Sequence, residues 1–173
     1  MSKFTDAECK KIQKLSLNFE QVHSYATLEI KGKFIKNVHE FFHRKIKRNP
    51  DTQWIFDRFK EHLNYRFPDN IANLSPEVSY NVYPKGCNLD KHIDAEKQPD
   101  VVYICGVLLN GDFTGGEFVL YNPEEVLDYP VGTIYDLDVS SRIHEIKKVT
   151  SGERISLVLF LSKEQLGIKE TLI

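Results

Sequence analysis

At 173 residues, 41% apolar and 28% charged, the chain can bury a real core and is too apolar for a disordered one. No run approaches the ~18 consecutive apolar residues of a membrane-spanning helix, and the N-terminal MSKFTDAECKK lacks a secretory signal's apolar stretch, so an intracellular, cytoplasmic protein with no membrane partner is expected. The net charge of −2 conceals 14 basic against 9 acidic residues over 1–70 and 9 against 16 over 71–173, a split that solvated faces or a charged partner can produce.

Thr5 and Glu8 make a Thr-x-x-Glu capping box, and Ile12 and Leu15 follow at helical spacing, so a helix should begin at the N-terminus. Val22–Ile30, VHSYATLEI, alternates and is rich in β-formers, which suggests a strand. Phe34, Ile35, Val38, Phe41, Phe42 and Ile46 recur at helical spacing until Asn49–Pro50, predicting a helix there. His39 and His43 would lie one turn apart on it without an acidic or thiol partner, and Arg44 to Asn49 would form a solvated face. A further helix is predicted from about Asp51 to before Pro68, with Ile55, Phe59 and Leu63 on one side and Trp54 packing beside them.

Beyond residue 75 the period changes. EVSYNVY, VVYICGVLL, GEFVLY, GTIYDLD, RIHEIKKV and RISLVLFL are strand-length runs divided by turn residues. The fold class expected is mainly β with N-terminal helices (α+β), about eight strands forming a sandwich or jelly-roll barrel. One domain over 1–173 is expected, with a largely helical support region over 1–75 and the barrel over 76–161. The odd set of Cys9, Cys87 and Cys105 contains no C-x-x-C pair and reads as free thiols, the last two as small core residues.

The stretch NLDKHIDAEK places His92 and Asp94 two apart, so in an extended segment both side chains leave one face and can grip one ion. A 2-His-1-carboxylate site for non-haem Fe(II) needs a second histidine and open positions for substrate and oxygen. His144 is the only histidine after His92, and the whole reading requires its imidazole to reach the first. Ten residues on, across TSGE, stands Arg154, which should place the two on neighbouring antiparallel strands. Arg154, Ser156, Val158 and Phe160 share one face of the last strand, and Ile155, Leu157, Leu159 and Leu161 share the other. The aliphatic face belongs against the core. The face headed by arginine and a hydroxyl suits a cavity that takes a carboxylate in bidentate contact.

With these residues in place the chain resembles the Fe(II)- and 2-oxoglutarate-dependent oxygenases. HID, RIHEIKKVTSGERIS and NVYPKGCNLDKHID (Tyr83, Gly86, Leu89, His92, Asp94) fit their pattern, and LLNGDFTGGEFVLY resembles the prolyl-hydroxylase-like branch. The likeness spans about residues 76–161. It implies a double-stranded β-helix, a cupin-like jelly-roll barrel, in which His92, Asp94 and His144 hold Fe(II). Arg154 and Ser156 would take the C5 carboxylate of 2-oxoglutarate, with Tyr83 and Asn81 as further cosubstrate contacts. The cofactors implied are Fe(II), 2-oxoglutarate and O2, with ascorbate as an optional addition. The reaction implied is hydroxylation of a protein or peptide residue, proline among them, coupled to conversion of 2-oxoglutarate to succinate. Two positions depart from that branch. Phe160 stands where a tryptophan is common, and Leu108 where some members carry a cosubstrate-binding tyrosine. Two alternatives stay open. Asn81 and Leu89 also fit the alkylated-base demethylases, which act on nucleic acid, although those carry a second arginine where this chain has Phe160. Hydroxylation of a small molecule such as a free amino acid is the other.

Overall fold

The structure is a computed structural model that describes residues 2–24, 27–30, 33–36, 41–67, 75–94 and 98–167. The first helix, α1 (Asp6–Ser16), starts as its sequence dictates. Thr5 Oγ1 accepts from the Glu8 amide at 3.2 Å and the Glu8 carboxylate accepts from the Thr5 amide at 2.7 Å. Strands β1 (Gln21–Ser24), β2 (Thr27–Ile30), β3 (Lys33–Lys36) and β4 (Phe41–Lys47) follow, then α2 (Gln53–Asn64).

Two expectations are corrected here. The single strand over Val22–Ile30 is two, β1 and β2, which pair with different partners. The helix read from Phe34 to Ile46 is strand at both of its described ends, and His39 and Val38 lie outside the described residues. Phe42 and Ile46 are four apart, which fits a helix, but they are also an even number apart, which fits one face of a strand. Pairing of β4 with β5 (Glu77–Pro84) through six residue pairs decides between them. Ile46 is fully buried there, and tertiary contact overrides a local period.

The remaining strands are β6 (Leu89–His92), β7 (Val101–Leu108), β8 (Thr114–Gly115), β9 (Phe118–Leu120), β10 (Glu125–Leu127), β11 (Ile134–Asp138), β12 (His144–Ile146), β13 (Val149–Ser151) and β14 (Glu153–Ser162). They build a six-stranded sheet in the order β1-β4-β5-β14-β7-β11 and a four-stranded sheet in the order β10-β9-β12-β6. All of the pairings are antiparallel, as in a jelly roll.

Alternation along β14 divides the interior in two. Ile155, Leu157, Leu159 and Leu161 join one apolar cluster with Ile12 of α1 and Ile55, Phe59 and Leu63 of α2. The helices therefore cover the outer face of the large sheet. Val158 and Phe160 join the second cluster, between the sheets, with Tyr83, Ile104, Phe118 and Tyr135. Burying aliphatic side chains contributes about 1.5–3 kcal/mol each, which fixes which face of β14 turns outward. Trp54 packs edge-on against Phe4, 6.0 Å between ring centroids, on the helical side and away from the cavity. Cys9, Cys87 and Cys105 are all buried. No helix among the described residues is long and apolar enough to cross a membrane.

Candidate metal centre

His92 ends β6, Asp94 follows it, and His144 opens β12. The two strands pair with His144 directly opposite His92, so the register alone brings two distant imidazoles face to face, 4.3 Å between ring centroids. The register then shifts between His144 and Ile146, an irregularity of the kind that re-aims side chains beside functional sites. One ligand atom from each of His92, Asp94 and His144 lies within 4.8 Å of the others, and no other such group of three occurs among the described residues.

The tautomers are set by backbone carbonyls. His92 Nδ1 lies 2.7 Å from the Asp90 carbonyl and His144 Nδ1 lies 3.0 Å from the Arg142 carbonyl. A carbonyl only accepts, so each Nδ1 carries the proton and each Nε2 keeps its lone pair. Those Nε2 atoms approach the Asp94 carboxylate at 3.3 and 3.6 Å. Burial also pushes the His144 pKa down, favouring the neutral ring. Two lone pairs and a carboxylate aimed at one point repel each other unless a cation lies between them. The donor set, two imidazole nitrogens and one hard oxygen with no thiolate, therefore fits a divalent transition metal such as Fe(II).

The other predicted residues line the same cavity: Asn81 and Tyr83 from β5, Arg154 and Ser156 from β14. Arg154 is 5% exposed and its Nη1 donates to Ser156 Oγ at 3.0 Å. Among the described residues it forms no ion pair with a carboxylate. A buried guanidinium without a counter-charge is costly, and an anion entering this end of the cavity would relieve that cost. The Arg154 guanidinium carbon lies 5.8 Å from the Tyr83 ring centroid. Tyr83 is fully enclosed, and burial raises its pKa so that the hydroxyl remains a proton donor.

One expected relation is wrong. His144 and Arg154 do not sit on neighbouring strands, because β12 belongs to the four-stranded sheet and β14 to the six-stranded one. Lys147 and Lys148 lead the chain out of β12, and Val149–Ser151 pairs separately with β8 before the turn at Gly152. The His92–Asp94–His144 cluster and the buried Arg154 thus lie on different sheets and line one cavity.

Sequence reasoning also missed residues. Tyr135 of β11 lines the cavity, and no local spacing marks it. Phe41, His43 and Lys45 share a sheet face with Asn81, since His43 pairs with Asn81 and Lys45 with Ser79. Phe41 stacks on Tyr83 at 4.7 Å and 17°, and the Lys45 ammonium lies 5.8 Å from the Phe160 ring centroid. Burial, then the nearby Lys45, lowers the His43 pKa. Reading this segment as a helix hid the alternation that would have found them.

No family model matches the chain, and no curated protein matches it. Solved structures do. An oxidoreductase of the 2OG-Fe(II) oxygenase family from Burkholderia pseudomallei is similar over 92% of this chain and 81% of its own, with a TM-score of 0.71 and 23% identity. A Pseudomonas putida prolyl-4-hydroxylase is similar over 94% and 90%, at 0.63 and 14%. A Trichoplax adhaerens prolyl hydroxylase, solved in complex with a hypoxia inducible factor peptide fragment, is similar over 94% and 82%, at 0.61 and 14%. The mainly β architecture, its two covering helices and these likenesses together give the chain the double-stranded β-helix fold of the 2OG-Fe(II) oxygenases and prolyl hydroxylases.

Proposed function

We propose that this chain is an Fe(II)- and 2-oxoglutarate-dependent oxygenase that hydroxylates a residue of a protein or peptide, proline among the candidates, working as one domain. One observation carries the reading. The convergent lone pairs of His92, Asp94 and His144 and the uncompensated guanidinium of Arg154 open into the same cavity. A metal at one end and an anion at the other are the two demands of a chelating 2-oxo diacid.

His92 and His144 would hold Fe(II) through Nε2 and Asp94 through a carboxylate oxygen. Arg154 and Ser156 would take the far carboxylate of 2-oxoglutarate, and Asn81 and Tyr83 would orient the chain between. With O2, the bound iron and cosubstrate supply oxidation of a C–H bond, 2-oxoglutarate leaving as succinate and CO2. The protein's residues do the rest. The backbone carbonyls at 90 and 142 fix both imidazoles before metal arrives, and Phe118, Ile104 and Ile146 give the cavity an apolar wall.

The substrate side would be the strip Phe41, His43, Lys45 and Phe160, a half-buried surface whose aromatic rings suit an extended peptide and whose Lys45 is held by Ser79 and Glu77. The peptide-bound neighbour supports this class over the others. Base oxidation has less support. Arg44, Arg58 and Arg66, part of the N-terminal excess of charge, bond to Phe19 and Gln21, to Glu8 and to Asp136.

The test is anaerobic calorimetric titration with Fe(II) and then 2-oxoglutarate, followed by succinate release, with ascorbate present, against proline-rich peptides, oligonucleotides and amino acids. Fe(II)-dependent 2-oxoglutarate binding and peptide-stimulated succinate are expected. Absence of metal binding rejects the oxygenase reading. Turnover with oligonucleotides alone, steeply weakened by salt, replaces the peptide with nucleic acid.

A further inference from the structure

The cavity wall contains a hydroxyl that the iron-and-arginine motif does not include. Tyr135 sits on β11, the edge strand of the large sheet, and pairs with Gly106 of β7. A Cβ at position 106 would fall 2.2 Å from both the Tyr135 Cζ and its hydroxyl oxygen. The ring therefore lies across the one residue of VVYICGVL that has no side chain, and its hydroxyl is carried over β7 toward β14. On its other side Gly106 pairs with Val158 of β14, the strand that bears Arg154 and Ser156. Glycine inside a strand weakens it and often marks a close approach, and the approach here is this phenol.

Packing fixes the ring. Tyr129 stacks on it at 5.2 Å with 8° between planes, and Phe118, which also meets His144, lies 5.9 Å away at 45°. Burial raises the pKa of the hydroxyl and keeps it protonated, against the nearby charge of Arg154. Tyr135, Arg154 and Ser156 line one cavity, so a hydroxyl, a guanidinium without a carboxylate partner among the described residues and a second hydroxyl gather at one place.

We infer that Tyr135 is a further donor to the distal carboxylate of the cosubstrate, delivered over Gly106 from a strand outside the motif. The inference rests on the oxygenase reading. The donor count closes: an ionised carboxylate offers about four acceptor sites, and two guanidinium N–H groups with the Ser156 and Tyr135 hydroxyls fill them. Ser156 Oγ accepts from Arg154, which leaves its own proton free to donate.

Tyr135→Phe keeps the ring and its stacking and removes only the donor. Against metal-loaded protein without oxygen, it is expected to weaken 2-oxoglutarate about 10- to 100-fold, the range for a hydrogen bond to a charged group. The probe for a merely structural effect is 2-oxopentanoate, which has the same chelating head and chain length without the distal carboxylate. Its affinity, measured by competition, should be the same in wild type and variant. Gly106→Ala, which pushes the ring off its seat, should reproduce the selective loss. An unchanged 2-oxoglutarate affinity in Tyr135→Phe, or equal losses for both acids, overturns the inference and leaves the oxygenase reading standing. A wild-type protein that binds metal but no 2-oxoglutarate overturns both.

Discussion

Arg154 is the residue whose environment says most about the chain. Lysine would supply the same charge at that place, but its ammonium is a point donor and cannot present two parallel N–H groups to one carboxylate. On the proposed reading, removing the guanidinium takes away the partner of the cosubstrate's far carboxylate. Arg154→Ala should therefore weaken 2-oxoglutarate by about 2–4 kcal/mol in anaerobic titration. Arg154→Lys should fall between it and wild type, and an unchanged affinity in the alanine variant would refute the assignment. Fe(II) affinity is expected to survive both changes, because Arg154 stands on the opposite sheet from His92 and His144. The histidines act at the same scale. Each is useful to a metal because its far nitrogen is tied to a carbonyl, an arrangement sequence spacing does not display.

At the scale of elements, α2 is fastened to the large sheet by a polar network on the face away from the cavity. Asp136 of β11 accepts from His62 Nε2 at 3.0 Å, from Arg66 Nη1 at 2.8 Å and from the Tyr103 hydroxyl of β7. Phe67 meets Tyr103 edge-on at 5.3 Å, closing the network from above. The hydrogen bond from His62 comes first among the influences that hold the Asp136 pKa below its ordinary 3.8, with Tyr103 and Arg66 adding to it against burial. A carboxyl group depressed on folding stabilises the native state above its unfolded value and loses that effect as pH falls through the native one. Asp136→Asn should lower the unfolding free energy at pH 7 by about 2–3 kcal/mol in urea titrations. The gap from wild type should narrow below about pH 4. A gap of constant size from pH 7 to pH 3 would show that charge plays no part.

Across the whole molecule, the helical layer and the barrel are joined through a shared sheet and a short N-terminal strap. Ser2 accepts from the Ile134 amide at 3.2 Å, Lys3 bridges to Thr133, and the Phe4 amide donates to Gly132 at 2.8 Å. The strap thus pairs with the segment that leads into β11 and takes up the first amide of that edge strand. Phe4 then turns inward, 1% exposed, edge-on to Trp54 and to Phe59, whose ring centroid is 5.8 Å away. Phe4→Ala should cost about 3–5 kcal/mol in the global unfolding transition, measured by thermal or denaturant melts. Metal affinity below that transition should not change, because Phe4 packs outside the large sheet. Loss of metal binding in a still-folded variant would mean that strap and cavity are coupled in a way the packing does not suggest.

What the sequence by itself determined is local. The Thr5–Glu8 capping box, the second helix and the alternation that turns Arg154 and Ser156 to one face all depend on residues within a few positions of each other, whereas Asp94 meets His92 from beyond the end of β6 and not from the extended segment expected. Backbone geometry alone decides such patterns. The tertiary structure decided what depends on partners. It made β4 a strand, placed β12 and β14 in opposite sheets, set His144 in register with His92, and slid Tyr135 over Gly106. Strand neighbours far apart in the chain settle each of those, and a period of two fits either face of a strand until a partner strand buries one of them.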